Sequence, residues 1–225
     1  MTTGAALCLW SGGTDSRLAL HLALDAGLAV TSLLTAFDEE ADRSRSHALP
    51  ASLIAAQTGG LGLRPIALQA NWARYEEAYI EALEIACASG IELAGFGDID
   101  LTPHRARKET TCAQAGFKAR LLVWDWPRER SVTEVLSRGF KAVWVCVTTQ
   151  YLPKKFCGRR YGGGAIRDFL LGLDSSGENG KFPAFLTDMS RFRRPVDLDV
   201  RPLNRCVRSV EYGGQEFWFA ALARA

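Results

Sequence analysis

Apolar runs rich in Val, Leu and Ile alternate with amphipathic helical patterns through the first two thirds of the chain, and this alternation restricts the fold more than any other feature. Near-continuously apolar strands separated by helices pack as a parallel sheet with helices on both faces. "AALCLW" reads as the first strand, followed by a helix over Thr14 to Asp25 that Gly27 can close. "VTSLLTAF" is a second strand, a helix spans Pro50 to Gln57 before Gly59 and Gly60, and "RPIALQA" is a third strand. "WARYEEAYIEALEIACAS" is the clearest helix, with Tyr75, Tyr79, Leu83 and Ala86 on one face and Gly90 as its stop. The strands "IELAGFGDI", "KARLLVWDW" and "KAVWVCVT" follow, separated by a helix over Pro103 to Ala115 and a short one in "VTEVLSRG".

Beyond Thr149 the sequence becomes rich in glycine and charge, with one short helix expected near Ile166 to Leu171. The tail "VRSVEYGGQEFWFAALA" reads as two strands joined at Gly213 and Gly214. The expectation is an α/β domain over residues 1–150 and a smaller α+β region over 151–225.

With 225 residues, 48% hydrophobic and 23% charged, the chain can bury a core without metals or disulfides. No apolar run reaches membrane-spanning length and no secretion signal is visible, so a cytoplasmic address is expected. Six scattered cysteines without C-x-x-C pairs fit reduced thiols rather than a zinc site. A net charge of +2 carries no global design for nucleic acid, although "KKFCGRR" and "RFRRP" are local basic clusters open to three readings: RNA contact, or, more often for such clusters, a solvated loop or a hold on a substrate's phosphates.

The strand-to-helix turn in "LCLWSGGTDSRLALHL" sits where open parallel sheets bind phosphate. Gly12 and Gly13 let the backbone approach a ligand closely. The amides and the helix N-terminus present positive ends to an anion, and Ser11 and Ser16 add hydroxyls. An isolated Ser-Gly-Gly is only a tight turn with Thr14 or Asp15 as N-cap; the strand before it and the helix after it favour phosphate. The Walker P-loop pattern is absent.

The S-G-G-T-D-S string resembles the S-G-G-K-D-S pyrophosphate loop of the N-type ATP pyrophosphatases, of the adenine nucleotide alpha-hydrolase-like superfamily. "LWSGGTDSRLAL", "RSRSHALP", "GLRPIAL", "WARYEEAYIEAL", "GIELAGFGDIDLTPHRARKE", "LLVWDW" and "SSGENGKF" follow the order seen in the diphthine-ammonia ligase family. The resemblance implies a Rossmann-like fold and an ATP-dependent, amide-forming activity. In it an acceptor carboxylate is adenylated, pyrophosphate is released, and ammonia displaces AMP. It implies ATP and Mg2+ at Ser11, Gly12, Gly13, Thr14, Asp15, Ser16, His47 and Gly97, with Asp15 and Asp98 as metal ligands. Asp15, Asp98 and Glu178 would serve catalysis, and Arg105, Glu109, Gly177, Glu178, Asn179 and Lys181 would bind the acceptor.

Three positions depart from the family pattern. Thr14 stands where relatives carry lysine, removing a cation beside the developing phosphate charge; Lys154, Lys155 or Arg159 are candidates to replace it. Lys181 stands in place of a second glutamate, and Ser176 in place of a cysteine. A pocket built with Lys181 favours a more anionic acceptor than diphthine, unless that lysine faces solvent. Other residues have plain structural readings as well: Asp98 and Asp15 as helix caps, Arg105 and Glu109 as a pair four residues apart, His47 and Arg45 as surface residues. Trp10, Trp124 and Trp126 are expected in the core. The alternatives to a ligase are a nucleotide-binding module with weakened catalysis and a tRNA-modifying adenylating enzyme. The expected partners are a carboxylate-bearing acceptor and ammonia, not nucleic acid or membrane, and homodimerisation is left open.

Overall fold

The computed structural model describes residues 4–39, 42–148, 153–161, 184–209 and 215–225. The helix expected near Ile166, the turn at Gly213 and Gly214, and the segment carrying Ser176, Gly177, Glu178, Asn179 and Lys181 lie outside the described residues. Backbone contacts divide the chain into two units. One comprises residues 4–11 and 15–126, the other residues 12–14 with 127–225.

In the first unit the elements alternate as β1 (Ala5–Leu9), α1 (Thr14–Asp25), β2 (Ala29–Phe37), α2 (Ala51–Leu61), β3 (Arg64–Gln69), α3 (Tyr75–Ala88), β4 (Ile91–Phe96), α4 (Thr102–Gln114) and β5 (Lys118–Leu121). All neighbouring strands pair in parallel, in the order β3-β2-β1-β4-β5. Right-handed crossovers then put α1 and α2 on one face and α3 and α4 on the other. α3 and α4 do pack against each other. Between them and the sheet lies a core that includes Leu7, Leu34, Leu83, Phe96, Cys112 and Phe117. The chain leaves β1 in one direction and returns to its other side at β4, so the switch point of the sheet falls between these strands. Ligands of such sheets bind outside the carboxyl ends of the strands at this point.

The sequence pattern misplaces several boundaries. α2 continues through Gly59 and Gly60 to Leu61, and Gly62, at φ 69°, supplies the left-handed cap. Gln57, Thr58 and Gly60 are buried there, so packing offsets the roughly 1 kcal/mol that each helical glycine costs relative to alanine. β5 stops at Leu121 because the next residues turn: the Leu122 amide donates to Phe96 O, the Asp125 amide to Ile99 O, and Asp125 takes φ 59°. Trp124 and Trp126 are accordingly half-buried, whereas Trp10 is in the core as expected.

The second unit contains α5 (Arg128–Ser137), β6 (Lys141–Trp144), β7 (Cys146–Thr148), a short 3-10 turn at Lys154–Phe156, β8 (Arg160–Tyr161), β9 (Ala184–Asp188), β10 (Leu198–Ser209) and β11 (Gln215–Arg224). "KAVWVCVT", expected as one strand of the parallel sheet, divides at Val145, whose carbonyl accepts from the Ala220 amide. β6 joins β8 and β9 in one antiparallel sheet, while β7 joins β11 and β10 in another. The two tail strands pair as expected. No helix among the described residues is long and apolar enough to cross a membrane.

Candidate functional site

The loop from Ser11 to Ser16 leaves the carboxyl end of β1 at the switch point, and its backbone is held from several directions. Trp10 anchors its entry. The Trp10 amide donates to Leu34 O at 2.8 Å, its carbonyl accepts from Thr35 Oγ1 at 2.7 Å, and its indole Nε1 donates to Gln57 Oε1 at 2.8 Å in the buried interior. Gly12 takes φ 79°, a left-handed conformation in which an L side chain is strained by about 1–2 kcal/mol. Two carbonyls are also fixed: Ser11 O by His47 Nδ1 at 2.8 Å and Gly12 O by the Leu186 amide at 3.2 Å. Because a trans peptide sets its N–H opposite its C=O, each held carbonyl also sets the direction of the next amide. The Ser11 and Ser16 hydroxyls lie 3.0 Å apart, and Ser16 Oγ accepts from the Ser11 amide at 3.3 Å, which ties the loop's start to the first turn of α1.

β4 ends against the same loop. A Cβ at Gly97 would lie 2.6 Å from the carbonyl carbon and oxygen of Asp15 and 2.8 Å from the Ser16 amide nitrogen. Only glycine lets the strand end and the loop touch. Asp98 follows, and its carboxylate is paired with the Lys108 ammonium and lies 3.5 Å from His104 Nδ1. Among the site residues expected from the sequence, Ser11, Asp15, Ser16, His47, Gly97 and Asp98 are thus brought to one edge of the sheet, and Gly12, Gly13 and Thr14 are contiguous with them in the chain.

His47 owes its position to the turn after β2. Ser44 is buried, its amide donating to Leu49 O and its hydroxyl accepting from the Leu49 amide, and Ala48 takes φ 51° to complete the turn. Arg45 is held locally: it donates to Ala70 O and stacks 4.4 Å from the centre of the Trp72 ring. Because Nδ1 faces a carbonyl, it carries the proton. Burial pulls the His47 pKa below its ordinary value; the bond to Ser11 O works against that shift, and the nearby Arg17 charge adds to it. The folded protein therefore resists protonating this ring. As pH falls through the unfolded value of about 6.5, the unfolded state takes up a proton that the folded state does not, and stability declines. His47→Asn keeps a donor for Ser11 O but cannot titrate. Urea midpoints at pH 7.5 and 5.5 should fall further in the parent than in this variant, and equal falls would contradict the assignment.

Arg105 and Glu109 pair with each other at 2.8 Å, and Arg105 lies 5.0 Å from the centre of the Trp124 ring. This is a half-exposed i,i+4 pair, contributing about 0.3–0.5 kcal/mol. Lys154 lies 3.8 Å from the centre of the Trp218 ring, and Lys155 and Arg159 lie over Phe156. All three cations are engaged by aromatic rings of the second unit. Four thiols are pushed up by burial: Cys8 and Cys146 to about 12, Cys112 and Cys157 to about 11. Such thiols are poor nucleophiles at neutral pH. Lys108, Gln57 and Thr35 were not singled out from the sequence. Lys108 had a signal, since side chains lean toward a helix N-terminus and the second turn of α4 overhangs the end of β4.

A parallel sheet with a glycine loop and helix N-terminus at its switch point defines an α/β protein of the Rossmann-like kind. This chain belongs to the diphthine-ammonia ligase family of ATP pyrophosphatases: the family model described as "Diphthamide synthase N-terminal domain" matches residues 4–119. No curated protein matches the chain. Among solved structures, an isoflavone reductase shares 17% identity at a TM-score of 0.32, over 51% of this chain and 34% of that one.

Proposed function

We propose that the protein binds ATP and uses it to activate an acceptor carboxylate for amide formation. The observation that supports this most is the loop Ser11–Ser16 at the switch point, its carbonyls fixed by His47 and Leu186 and its first helical turn packed on Gly97. Fixed amides at a helix N-terminus bind anions without reorganising, the requirement for stabilising charge that develops during pyrophosphate departure. The acceptor oxygen attacks the α-phosphorus and pyrophosphate leaves. Ammonia then attacks the acyl carbon, AMP departs with the bond's electron pair, and an amide remains.

Asp15 and Asp98 offer the hard oxygen donors that suit Mg2+, and both lie beside the loop. Bound there, Mg2+ would neutralise phosphate charge. Asp98 has Lys108 and His104 as partners, which hold its carboxylate in place. Glu178, with Gly177, Asn179 and Lys181, is assigned to the acceptor pocket on the family pattern alone, and Arg105 and Glu109 are carried with them. Lys181 in place of a glutamate favours an acceptor more anionic than diphthine.

Calorimetry with ATP and AMP, followed by pyrophosphate release across carboxylic acids with ammonia, tests this reading. Micromolar to millimolar ATP binding and acceptor-dependent pyrophosphate are expected. Binding without turnover would instead support a nucleotide-binding module, a reading that Thr14 favours. Release dependent on tRNA would support an RNA-modifying adenylating enzyme, a reading that the buried thiols disfavour if sulfur transfer is meant.

A further inference from the structure

The loop lacks the lysine that the family pattern carries, yet a lysine on α4, the helix that follows β4, pairs with the aspartate next to Gly97. Lys108 projects from the second turn of α4 back toward the helix N-terminus. Its Nζ lies 5.2 Å from the centre of the Phe96 ring and pairs with Asp98, whose side chain is only 13% exposed. Asp98 adjoins Gly97, the residue in backbone contact with Asp15 and Ser16. The ammonium is thus held one residue from the point where β4 meets the loop, on the β4 side of the switch point. Resting on the proposed ATP-binding function, we infer that Lys108 supplies the phosphate-facing cation that Thr14 does not, with Asp98 positioning it.

Other cations serve less well. Arg17, in the first turn of α1, is completely buried and presents no surface to a ligand, although its charge is felt at His47. Arg105 and Arg107 pair with Glu109 at 2.8 Å and Glu76 at 3.3 Å, carboxylates of α4 and α3, whereas the partner of Lys108 is Asp98, the residue next to Gly97. Lys108 keeps 22% of its side chain exposed, and its ion pair can be exchanged for phosphate when nucleotide arrives. The Asp98 carboxylate would then be released toward Mg2+, so that one pair serves both charges of the bound complex.

The test uses Lys108→Met, which keeps an apolar stem over Phe96, together with Lys108→Arg, Thr14→Lys and the double variant Thr14→Lys/Lys108→Met. ATP and AMP affinities are measured by calorimetry, with thermal melts as the check on folding. Loss of one cation near the phosphates should weaken ATP binding about tenfold to a hundredfold. AMP, which lacks the β- and γ-phosphates, should bind within about twofold of the parent. Lys108→Arg should retain most ATP affinity, and Thr14→Lys should restore it in the Lys108→Met background. Equal weakening of ATP and AMP would mark Lys108 as structural and overturn the inference, as would Lys108→Met binding ATP like the parent. Failure of the parent to bind ATP at millimolar concentration would overturn both this role and the function on which it rests.

Discussion

Gly97→Ala should cost about 1–3 kcal/mol of stability and reduce ATP affinity at least about tenfold. The added methyl would lie 2.6 Å from the Asp15 carbonyl and 2.8 Å from the Ser16 nitrogen, all backbone atoms that cannot rotate away. Either β4 retreats from β1, disturbing the register that pairs Cys8 with Gly95, or the first turn of α1 moves. Both responses shift the amides proposed to hold phosphate. Gly95→Ala is a suitable control. Its methyl would meet mainly the sulfur of Cys8 at 2.9 Å, deeper in the sheet and away from the loop, so it should cost stability and spare the nucleotide affinity of the folded fraction. Urea unfolding with calorimetry on both variants separates the outcomes. Unchanged ATP affinity in a folded Gly97→Ala protein would mean that the β4–loop contact has no part in binding.

Thr14→Lys should raise ATP affinity or turnover by a factor between about five and a thousand. The range is set by one ion pair near 4 Å, worth about 1 kcal/mol in water and about 4 kcal/mol at intermediate dielectric. Thr14 begins α1 and is half-exposed, so a longer side chain has room to extend without disturbing the core. If Lys108 already supplies a cation, the gain in the parent should fall at the lower end of the range, and the gain in Lys108→Met at the upper. Stopped-flow or steady-state pyrophosphate release, measured alongside affinity, locates the effect in binding or in chemistry. No gain in either background would remove the missing lysine as an explanation for slow turnover.

How much of this was legible in the sequence depends on whether the determining physics was local. The parallel sheet followed from the alternation of apolar strands and amphipathic helices, and the loop from two glycines between a strand and a helix. Gly27 as the end of α1 and Gly90 after α3 were equally local. The passage of α2 through two glycines was not legible, because burial of Gln57 and Thr58 decides it. Nor was the division of "KAVWVCVT" between two antiparallel sheets, since its partners at Phe185 and Trp218 are distant in sequence.

The candidate site divides in the same way. Ser11 to Ser16 announce themselves by composition, and Gly97 and Asp98 by their place at a strand end. The seat of His47 depends on a turn closed by Ser44 and by the left-handed Ala48, which no spacing rule predicts. Lys108 was passed over because the family pattern in "HRARKE" points to Arg105 and Glu109, and the path of α4 above Phe96 is what sets Lys108 apart. Arg105 and Glu109 illustrate the reverse: residues of a specific-looking pattern that are paired with each other on the helix surface.

The central claim is that the main-chain amides of residues 12–16 grip the triphosphate of ATP. A crystal structure of the parent protein with ATP and Mg2+ tests it most directly. Phosphate oxygens within hydrogen-bond distance of the Gly12 to Ser16 amides are the predicted result; nucleotide density elsewhere, with that loop unliganded, would contradict it.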